Sequence, residues 1–191
     1  MTRMPPLESK RLLIRDLTMV DLETVHRILL ACFPSDPPVT LDARRTWLRW
    51  TILSYEQLAL LYQPPYGERA IVHAQSQELI GACGLVPSLM PFGMLPSLAD
   101  PGASPESGYS PEVGLFWAIA PEHQRHGYAT EAARALIDHG FGVMHLKRIV
   151  ATTEYDNAAS MRVMQKAGMR LERNPGANPP WMQVVGLRDN V

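Results

Sequence analysis

The N-terminal part of the chain changes from a strand pattern to a helical one. Residues Arg11 to Leu17 form a short apolar run punctuated by charges, which predicts a β-strand. Thr18 and Asp21 follow at the spacing of a capping box, in which two residues bond to each other's backbone. Apolar residues then recur at helical spacing: Leu22, Val25, Ile28 and Leu29. This order predicts a strand and then a helix that ends near Cys32, before the prolines of "PSDPP".

A second helix and a hairpin are predicted next. The region from Leu41 to Tyr62 has a helical pattern that closes at "PPYG". Its apolar positions are Trp47, Leu48, Ile52, Leu58 and Leu61. The β-rich runs "RAIVHAQ" and "ELIGACGLV" then flank Ser76 and Gln77. Their spacing and polarity predict two strands joined by a tight turn.

The segment from Pro87 to Pro111 differs from the rest of the chain. It is rich in Pro, Gly and Ser, and its apolar residues follow no sustained period. Those residues are Leu89, Met90, Phe92, Met94, Leu95 and Leu98. They are numerous for a solvated linker, and a loop of this length is usually functional or disordered. We expect an insertion over 87–111 that acts as a lid or a homodimer contact, with a flexible tether as the alternative.

The C-terminal part alternates strands and helices. "EVGLFWAIA", from Glu112, predicts a strand, and Ala129 to Met144 favour a helix. The strand "RIVATTEY" follows, and then a helix that Asn157 can cap and Gly168 can stop. Two short strands, "MRLER" and "MQVVGL", finish the chain. The predicted order, βααβββαβαββ, is that of a mixed α/β fold without internal repeats.

Composition and charge narrow the class of protein. A chain of 191 residues with 46% hydrophobic content can bury one sizeable core, so we expect a single domain over residues 1–191. The net charge is -1, and no basic stripe marks the chain as a partner of nucleic acid or an anionic membrane. Cys32 and Cys83 have neither a pairing pattern nor metal-ligand spacing, so two buried thiols and no metal are expected. No apolar signal core or membrane-spanning run is present, so a cytoplasmic location is predicted.

The stretch "AIAPEHQRHGYATEA", from Ala118 to Ala132, passes from an apolar strand through a proline into a helix that begins just after Gly127. The first backbone N–H groups of a helix have no partner within it, and the helix dipole is positive at that end. Both effects favour an anion, and a glycine lets a ligand approach the backbone closely. The pattern therefore predicts a phosphate-binding turn at Gly127.

Two linked motifs resemble the GNAT superfamily of N-acetyltransferases. Gln124, Gly127 and Ala129 fit Q/R-x-x-G-x-G/A, which is similar to the loop with which that family binds the pyrophosphate of coenzyme A. They fit neither G-x-G-x-x-G nor the Walker pattern. Downstream, "HLKRIVATTEYDNAASMRVMQKAGMRLE" resembles the second half of the same family. With "ESKRLLIRDLTMVDLETV", these motifs resemble the branch of ribosomal-protein N-terminal acetyltransferases (RimJ/RimL-like) over most of the chain except Pro87 to Pro111.

The resemblance implies both a fold and an activity. The fold is a mixed, mostly antiparallel sheet flanked by helices, with splayed central strands. The activity is transfer of an acetyl group from acetyl-CoA directly to a primary amine, in a ternary complex and without a metal. The acceptor is a protein N-terminus or a small-molecule amine. The alternative is a module that binds acyl-CoA as a sensor without turning it over.

The family pattern also implies the residues that bind the cofactor. Backbone groups at the end of the strand before the loop bind the pantetheine, and one N–H there can serve the thioester oxygen as an oxyanion donor. Asn157 is assigned to the pantetheine amides, with a plain helix cap as the alternative. The full set is Trp117, Ala118, Ile119, Gln124, Arg125, His126, Gly127, Tyr128, Ala129, Thr130, Asn157 and Ser160.

Three residues are candidates for the proton transfers. Glu112 opens its strand where the family often has an acid that acts as a base through water, and a solvated strand-end carboxylate is the alternative. Many relatives carry a tyrosine as the acid for the departing thiolate, but that place here is Met164. Tyr155 and Ser160 are the nearby substitutes, and solvent could also protonate a thiolate whose parent thiol has a pKa near 8.5.

Overall fold

The computed structural model describes residues 3–99, 109–175 and 179–191, and these form eight strands and four α-helices. The strands are β1 (Leu7–Glu8), β2 (Leu12–Asp16), β3 (Gly67–His73), β4 (Leu79–Met90), β5 (Ser110–Ile119), β6 (Arg148–Thr153), β7 (Arg170–Arg173) and β8 (Val184–Asp189). The helices are α1 (Leu22–Cys32), α2 (Leu41–Leu60), α3 (Tyr128–Gly142) and α4 (Ala158–Lys166). Single turns of 3-10 helix lie at Met19–Asp21, Phe92–Met94, Pro121–His123 and Pro180–Met182.

The strands are hydrogen-bonded in the order β1-β2-β3-β4-β5-β6-β8-β7. The pairs β1–β2, β2–β3, β3–β4, β6–β8 and β7–β8 are antiparallel. Strands β5 and β6 are parallel, with Gly114 opposite Val150, and α3 lies between them in the chain. Parallel neighbours need such a long crossover, because a tight turn reverses the chain. The predicted fold class, a mostly antiparallel sheet with helices, is confirmed.

The predicted order of elements is confirmed, with one strand added. Strand β1 was not predicted because two residues are too few to show a period, and its pairing of Leu7 with Ile14 defines it instead. The capping box is present, since the Asp21 carboxylate accepts hydrogen bonds from Thr18 N (2.8 Å) and Thr18 Oγ1 (3.0 Å). Helix α1 ends at Cys32, as the pattern indicated.

Contacts between residues divide the chain into two compact units, each made of two segments. The first unit contains Met1–Leu85 and Phe116–Leu136, and the second contains Val86–Leu115 and Ile137–Val191. The assignment of one domain to the whole chain stays a prediction. In the part of the chain that the structure describes, no helix is long and apolar enough to cross a membrane.

The core of the first unit is built where α1 and α2 meet the strands. Its buried residues come from both helices and from β3, β4 and β5: Leu17, Leu22, Val25, Ile28, Leu29, Leu48, Ala70, Val72, Leu79, Ala82, Ala118 and Ala120. Tyr55 of α2 adds a polar link, because its hydroxyl accepts from Leu17 N (3.2 Å) and donates to the Glu68 carbonyl. The face predicted for α1 is therefore the buried one. Of the apolar positions predicted for α2, Leu48 and Leu58 are buried, whereas Leu61 lies beyond the end of the helix and is 65% exposed.

The core of the second unit corrects the prediction for Pro87 to Pro111. Strand β4 continues to Met90 and β5 begins at Ser110, so both ends of the segment are strand. Phe92 and Leu95 are fully buried in a cluster of apolar residues: Phe92, Leu95, Val150, Met182, Val185 and Leu187. Apolar side chains that the sequence assigned to a lid thus belong to the hydrophobic core, where no local period is needed. The predicted role of 100–108 lies outside the described residues.

This packing predicts a large difference between two neighbouring apolar residues. Phe92→Ala should lower the free energy of unfolding by about 3–5 kcal/mol, because a fully buried aromatic ring is replaced by a cavity. Leu89→Ala is the matched control, since Leu89 is 64% exposed, and it should change stability by no more than about 0.5 kcal/mol. Urea denaturation of both variants measures the difference. Equal effects would mean that the segment is not part of the core.

Candidate functional site

The turn between β5 and α3 uses two residues with left-handed backbone. After Pro121–His123, the chain is extended at Gln124 and then takes positive φ at Arg125 (φ 65°) and Gly127 (φ 84°). A positive φ costs little at glycine but is strained for residues with a Cβ atom. The glycine noted in the sequence therefore suits the left-handed backbone at this position of the turn.

The N-terminus of α3 presents a set of backbone donors. The first bond of the helix runs from Glu131 N to Gly127 O (3.1 Å). The N–H groups of Tyr128, Ala129 and Thr130 precede that bond, so no carbonyl four residues back is available to them within the helix. These groups, together with the positive end of the dipole, are of the kind that favours an anion, and the phosphate-binding role of the turn stays a prediction.

Gln124 serves the turn through its side chain. Its Nε2 donates to the Ile119 carbonyl over 3.0 Å, and the Cys32 thiol donates to the same oxygen over 3.3 Å. The amide therefore ties the loop to the end of β5. Of the strand residues predicted to bind pantetheine, Ile119 thus has its carbonyl already bonded within the protein.

Arg11, which the sequence did not single out, lies against this turn. Its Nη1 donates to the His126 carbonyl (3.0 Å), and its backbone N and Nε donate to the two carboxylate oxygens of Glu131 (2.8 Å each). Ser9 Oγ adds a further bond to Glu131 (2.9 Å). Partial burial alone raises the pKa of Glu131, but the bonds from Arg11 and Ser9 outweigh it, and the pKa is lowered from its ordinary value. The partners are far apart in the chain, so no local pattern could have predicted them.

Three aromatic side chains lie together at this turn, and one of them, Tyr128, contacts Arg11. The Tyr128 ring stacks on His126 and meets His73 edge-on, with 5.7 Å between ring centroids in each pair. The Arg11 guanidinium carbon lies 4.5 Å from the Tyr128 centroid, which is cation–π distance. Together with the bond from Arg11 to the His126 carbonyl, these contacts hold the side chains of the turn in place.

In the second unit, Glu112 belongs to an ion-pair chain. Its Oε1 accepts from Arg148 Nη1 (2.9 Å), and Arg148 Nε donates to Asp189 Oδ1 (2.7 Å). The Glu112 side chain is only 16% exposed. The carboxylate is thus held and partly covered, and its assignment as the base, with a solvated strand-end carboxylate as the alternative, stays a prediction.

Asn157 and Ser160 lie together at the start of α4. Asn157 Oδ1 accepts from Ser160 N (3.0 Å), so Asn157 is the N-cap that the sequence allowed. Met164, at the place where many relatives have a tyrosine, is fully buried. A Cβ atom at Gly186 would lie 2.9 Å from Met164 Sδ, so the missing side chain of Gly186 provides the room for this methionine.

Tyr155, the third candidate for proton transfer, is bonded to a loop. Its hydroxyl donates to the Asn174 carbonyl over 2.6 Å, and its backbone N donates to Gln183 Oε1 over 2.8 Å. The hydroxyl proton is thus engaged in a short bond within the protein. This contact was not predicted, because Asn174 follows a different strand.

Comparison with known proteins places the chain in a family. Residues 11–170 match the family model described as an acetyltransferase (GNAT) domain. The chain is a GNAT acetyltransferase. It is 31% identical over 171 residues to the uncharacterized N-acetyltransferase YoaA of Bacillus subtilis, a match that covers 88% of this chain and 84% of YoaA. The resemblance seen in the two motifs is confirmed, and the enzyme is an acyltransferase that uses acetyl-CoA.

Solved structures share its fold. The acetyltransferase from Agrobacterium tumefaciens str. C58 is similar with a TM-score of 0.70 and 23% identity, over 98% of this chain and 96% of that one. The ribosomal L7/L12 alpha-N-protein acetyltransferase RimL, solved in complex with coenzyme A, is similar with a TM-score of 0.68 and 15% identity, over 97% of this chain and 98% of that one. At 23% and 15% sequence identity, these similarities show a shared fold and nothing about the substrate.

Two glycines test the backbone of the turn: Gly127, which directly precedes α3, and Gly142, the last residue of α3. Gly127→Ala should lower the free energy of unfolding of the acetyltransferase by about 1 kcal/mol, because alanine is strained at φ 84° although the new Cβ would have room, 3.5 Å from Arg11 Nη2. Gly142→Ala, at the other end of α3 and with open space around it, should raise stability by about 0.5–1 kcal/mol. Urea denaturation measures both changes, and a stabilising Gly127→Ala would rule out the left-handed turn.

Proposed function

We propose that this enzyme transfers the acetyl group directly from acetyl-CoA to a primary amine while both substrates are bound. The observation that carries the proposal is the start of α3. There, Gly127 combines a left-handed backbone with no side chain, and three N–H groups precede the first helical bond. This geometry fits a pyrophosphate, and it occurs in a chain that belongs to a family of acetyl-CoA-dependent enzymes.

The binding roles follow the family pattern. The turn from Gln124 to Thr130 would hold the pyrophosphate, with Arg125 exposed at its tip. Backbone groups of Trp117 and Ala118 would bind the pantetheine, and so would the Asn157 amide, whose carbonyl oxygen also caps α4. Gln124 contributes by fixing the loop to Ile119, and its side chain need not touch the ligand.

The chemistry requires the acceptor nitrogen to lose two protons and the departing thiolate to gain one. The acceptor first loses its ammonium proton, after which its nitrogen attacks the thioester carbonyl carbon. As the C–N bond forms and the C–S bond breaks, the nitrogen releases its second proton to solvent. We propose that Glu112 accepts the ammonium proton through a water molecule. Arg148 would orient the carboxylate by holding Oε1, and Asp189 would hold Arg148 in turn.

The departing thiolate also takes up a proton. Tyr155 would have to break its bond to the Asn174 carbonyl before it could donate. We therefore favour Ser160 or solvent as the donor, since a thiolate whose parent thiol has a pKa near 8.5 can be protonated by water at neutral pH. Tyr155 would then serve to fix the loop that contains Asn174.

We propose that the acceptor is a primary amine. Because the sequence resembles the branch of ribosomal-protein N-terminal acetyltransferases, a peptide α-amine is the acceptor that we favour. The likeness to RimL extends to the fold, which is a weak guide to the substrate. A small-molecule amine is the second choice. A cytoplasmic location stays a prediction.

The proposal predicts amine-dependent release of free thiol from acetyl-CoA. The purified enzyme should be assayed with peptides of differing N-terminal residues, a polyamine and an aminoglycoside, and thiol release followed with a chromogenic disulfide. At least one amine should raise the rate above hydrolysis, with a stoichiometric N-acetyl product by mass spectrometry. Cofactor binding without product for any amine would instead favour the sensor module.

A second prediction tests the base. Glu112→Gln should lower kcat by about tenfold to a thousandfold while acetyl-CoA affinity is nearly unchanged, because only proton acceptance is lost. Asp189→Asn is the matched control, since it alters the other carboxylate held by Arg148 and should change kcat by less than about threefold. The rate with the accepted amine is measured across pH. Equal losses in the two variants would assign Glu112 to the ion-pair chain alone.

A further inference from the structure

We infer that Arg11 is a positioning residue for the acetyl-CoA loop, which it prepares for the pyrophosphate by orienting the His126–Gly127 peptide and by neutralising Glu131. The inference rests on the proposed function, because it assumes that the cofactor binds at the start of α3. The inference concerns residues of the first unit only, and each contact it uses lies at the turn between β5 and α3.

The first part of the argument is the geometry of one peptide bond. In a trans peptide, the C=O and the N–H lie on opposite sides. Arg11 Nη1 binds the His126 carbonyl oxygen at 3.0 Å, so the N–H of Gly127 points away from Arg11. Without that bond, the two left-handed residues of the turn would leave this peptide freer to rotate. The Gly127 N–H, which we propose as a further donor beside those of residues 128–130, would then lose its fixed direction.

The second part is charge. Glu131 lies in the first turn of α3, where the helix dipole attracts a carboxylate just as it attracts a phosphate. Arg11 and Ser9 together give the two carboxylate oxygens at least three hydrogen bonds, and Arg11 Nη2 lies 2.7 Å from Oε2. The positive charge of Arg11 thus offsets the negative charge of Glu131, which would otherwise repel the pyrophosphate.

The third part separates positioning from direct contact with the ligand. Arg11 uses its backbone N, Nε and Nη2 on Glu131, and Nη1 on His126, while its guanidinium faces the Tyr128 ring. A lysine would keep the positive charge but has no planar fork with which to serve both partners. If Arg11 acted only as a counter-ion for phosphate, lysine would replace it well.

The test compares cofactor affinity among variants by calorimetry with coenzyme A. Arg11→Met should raise Kd about tenfold to a hundredfold, and Arg11→Lys should recover only a minor part of this loss, because charge-assisted hydrogen bonds are removed. At saturating acetyl-CoA, kcat should stay within about twofold, since the loop acts on binding alone. The double variant Arg11→Met, Glu131→Gln should bind at least about threefold more tightly than Arg11→Met, because the unpaired carboxylate is gone.

The control is Arg15→Met. Arg15 lies in the same part of the chain as Arg11 and donates two hydrogen bonds to the carboxylate of Asp21, which the substitution removes. It should leave Kd unchanged although it lowers the melting temperature. Wild-type affinity in Arg11→Met or in Arg11→Lys would overturn the inference.

A further variant distinguishes this failure from failure of the proposed function. Gly127→Glu puts a side chain and a negative charge into the turn and should abolish binding. If Gly127→Glu fails to bind while Arg11→Met binds like wild type, the loop assignment stands and only the role of Arg11 is wrong. If Gly127→Glu binds coenzyme A like wild type, the cofactor site lies elsewhere and both proposals fall.

Discussion

The free N–H groups at the start of α3 are the feature on which the proposed cofactor binding depends. A helix can offer them to a ligand only if the chain enters it without a side chain in the way, and Gly127 with φ 84° meets that requirement. The rest of the first unit keeps this entry in place. Gln124 bonds to the end of β5, and the buried faces of α1 and α2 pack on the strands that lead to it.

Charged residues near the turn are arranged in pairs that leave the donors to the ligand. Glu131 would compete with a phosphate if it were unpaired, yet Arg11 and Ser9 take both of its oxygens. Glu122 is likewise paired with Arg27, at 2.7 Å on the protein surface. An exposed pair such as that of Glu122 with Arg27 adds little stability, whereas the Glu131 carboxylate is partly buried, with 17% of its side chain exposed.

The second unit combines a covered acid with an apolar cluster. Glu112 is fixed by Arg148, which is in turn fixed by Asp189, so its carboxylate has a defined direction. Phe92 and Leu95 fill the core beside β6 and β8. The described part of the segment that differs most in composition therefore contributes to the core of this unit.

The sequence by itself determined the order of helices and strands, the turn at Gly127, the cap at Asn157 and the family. Each of these depends on neighbours a few residues apart, whose spacing reports the local backbone. Only the tertiary structure decided the pairing of Arg11 with Glu131, the holding of Glu112 by Arg148, the bond from Tyr155 to Asn174 and the burial of Phe92. Those contacts join residues from different elements of the chain, Arg11 and Glu131 being 120 positions apart, and tertiary packing rather than local propensity brings them together.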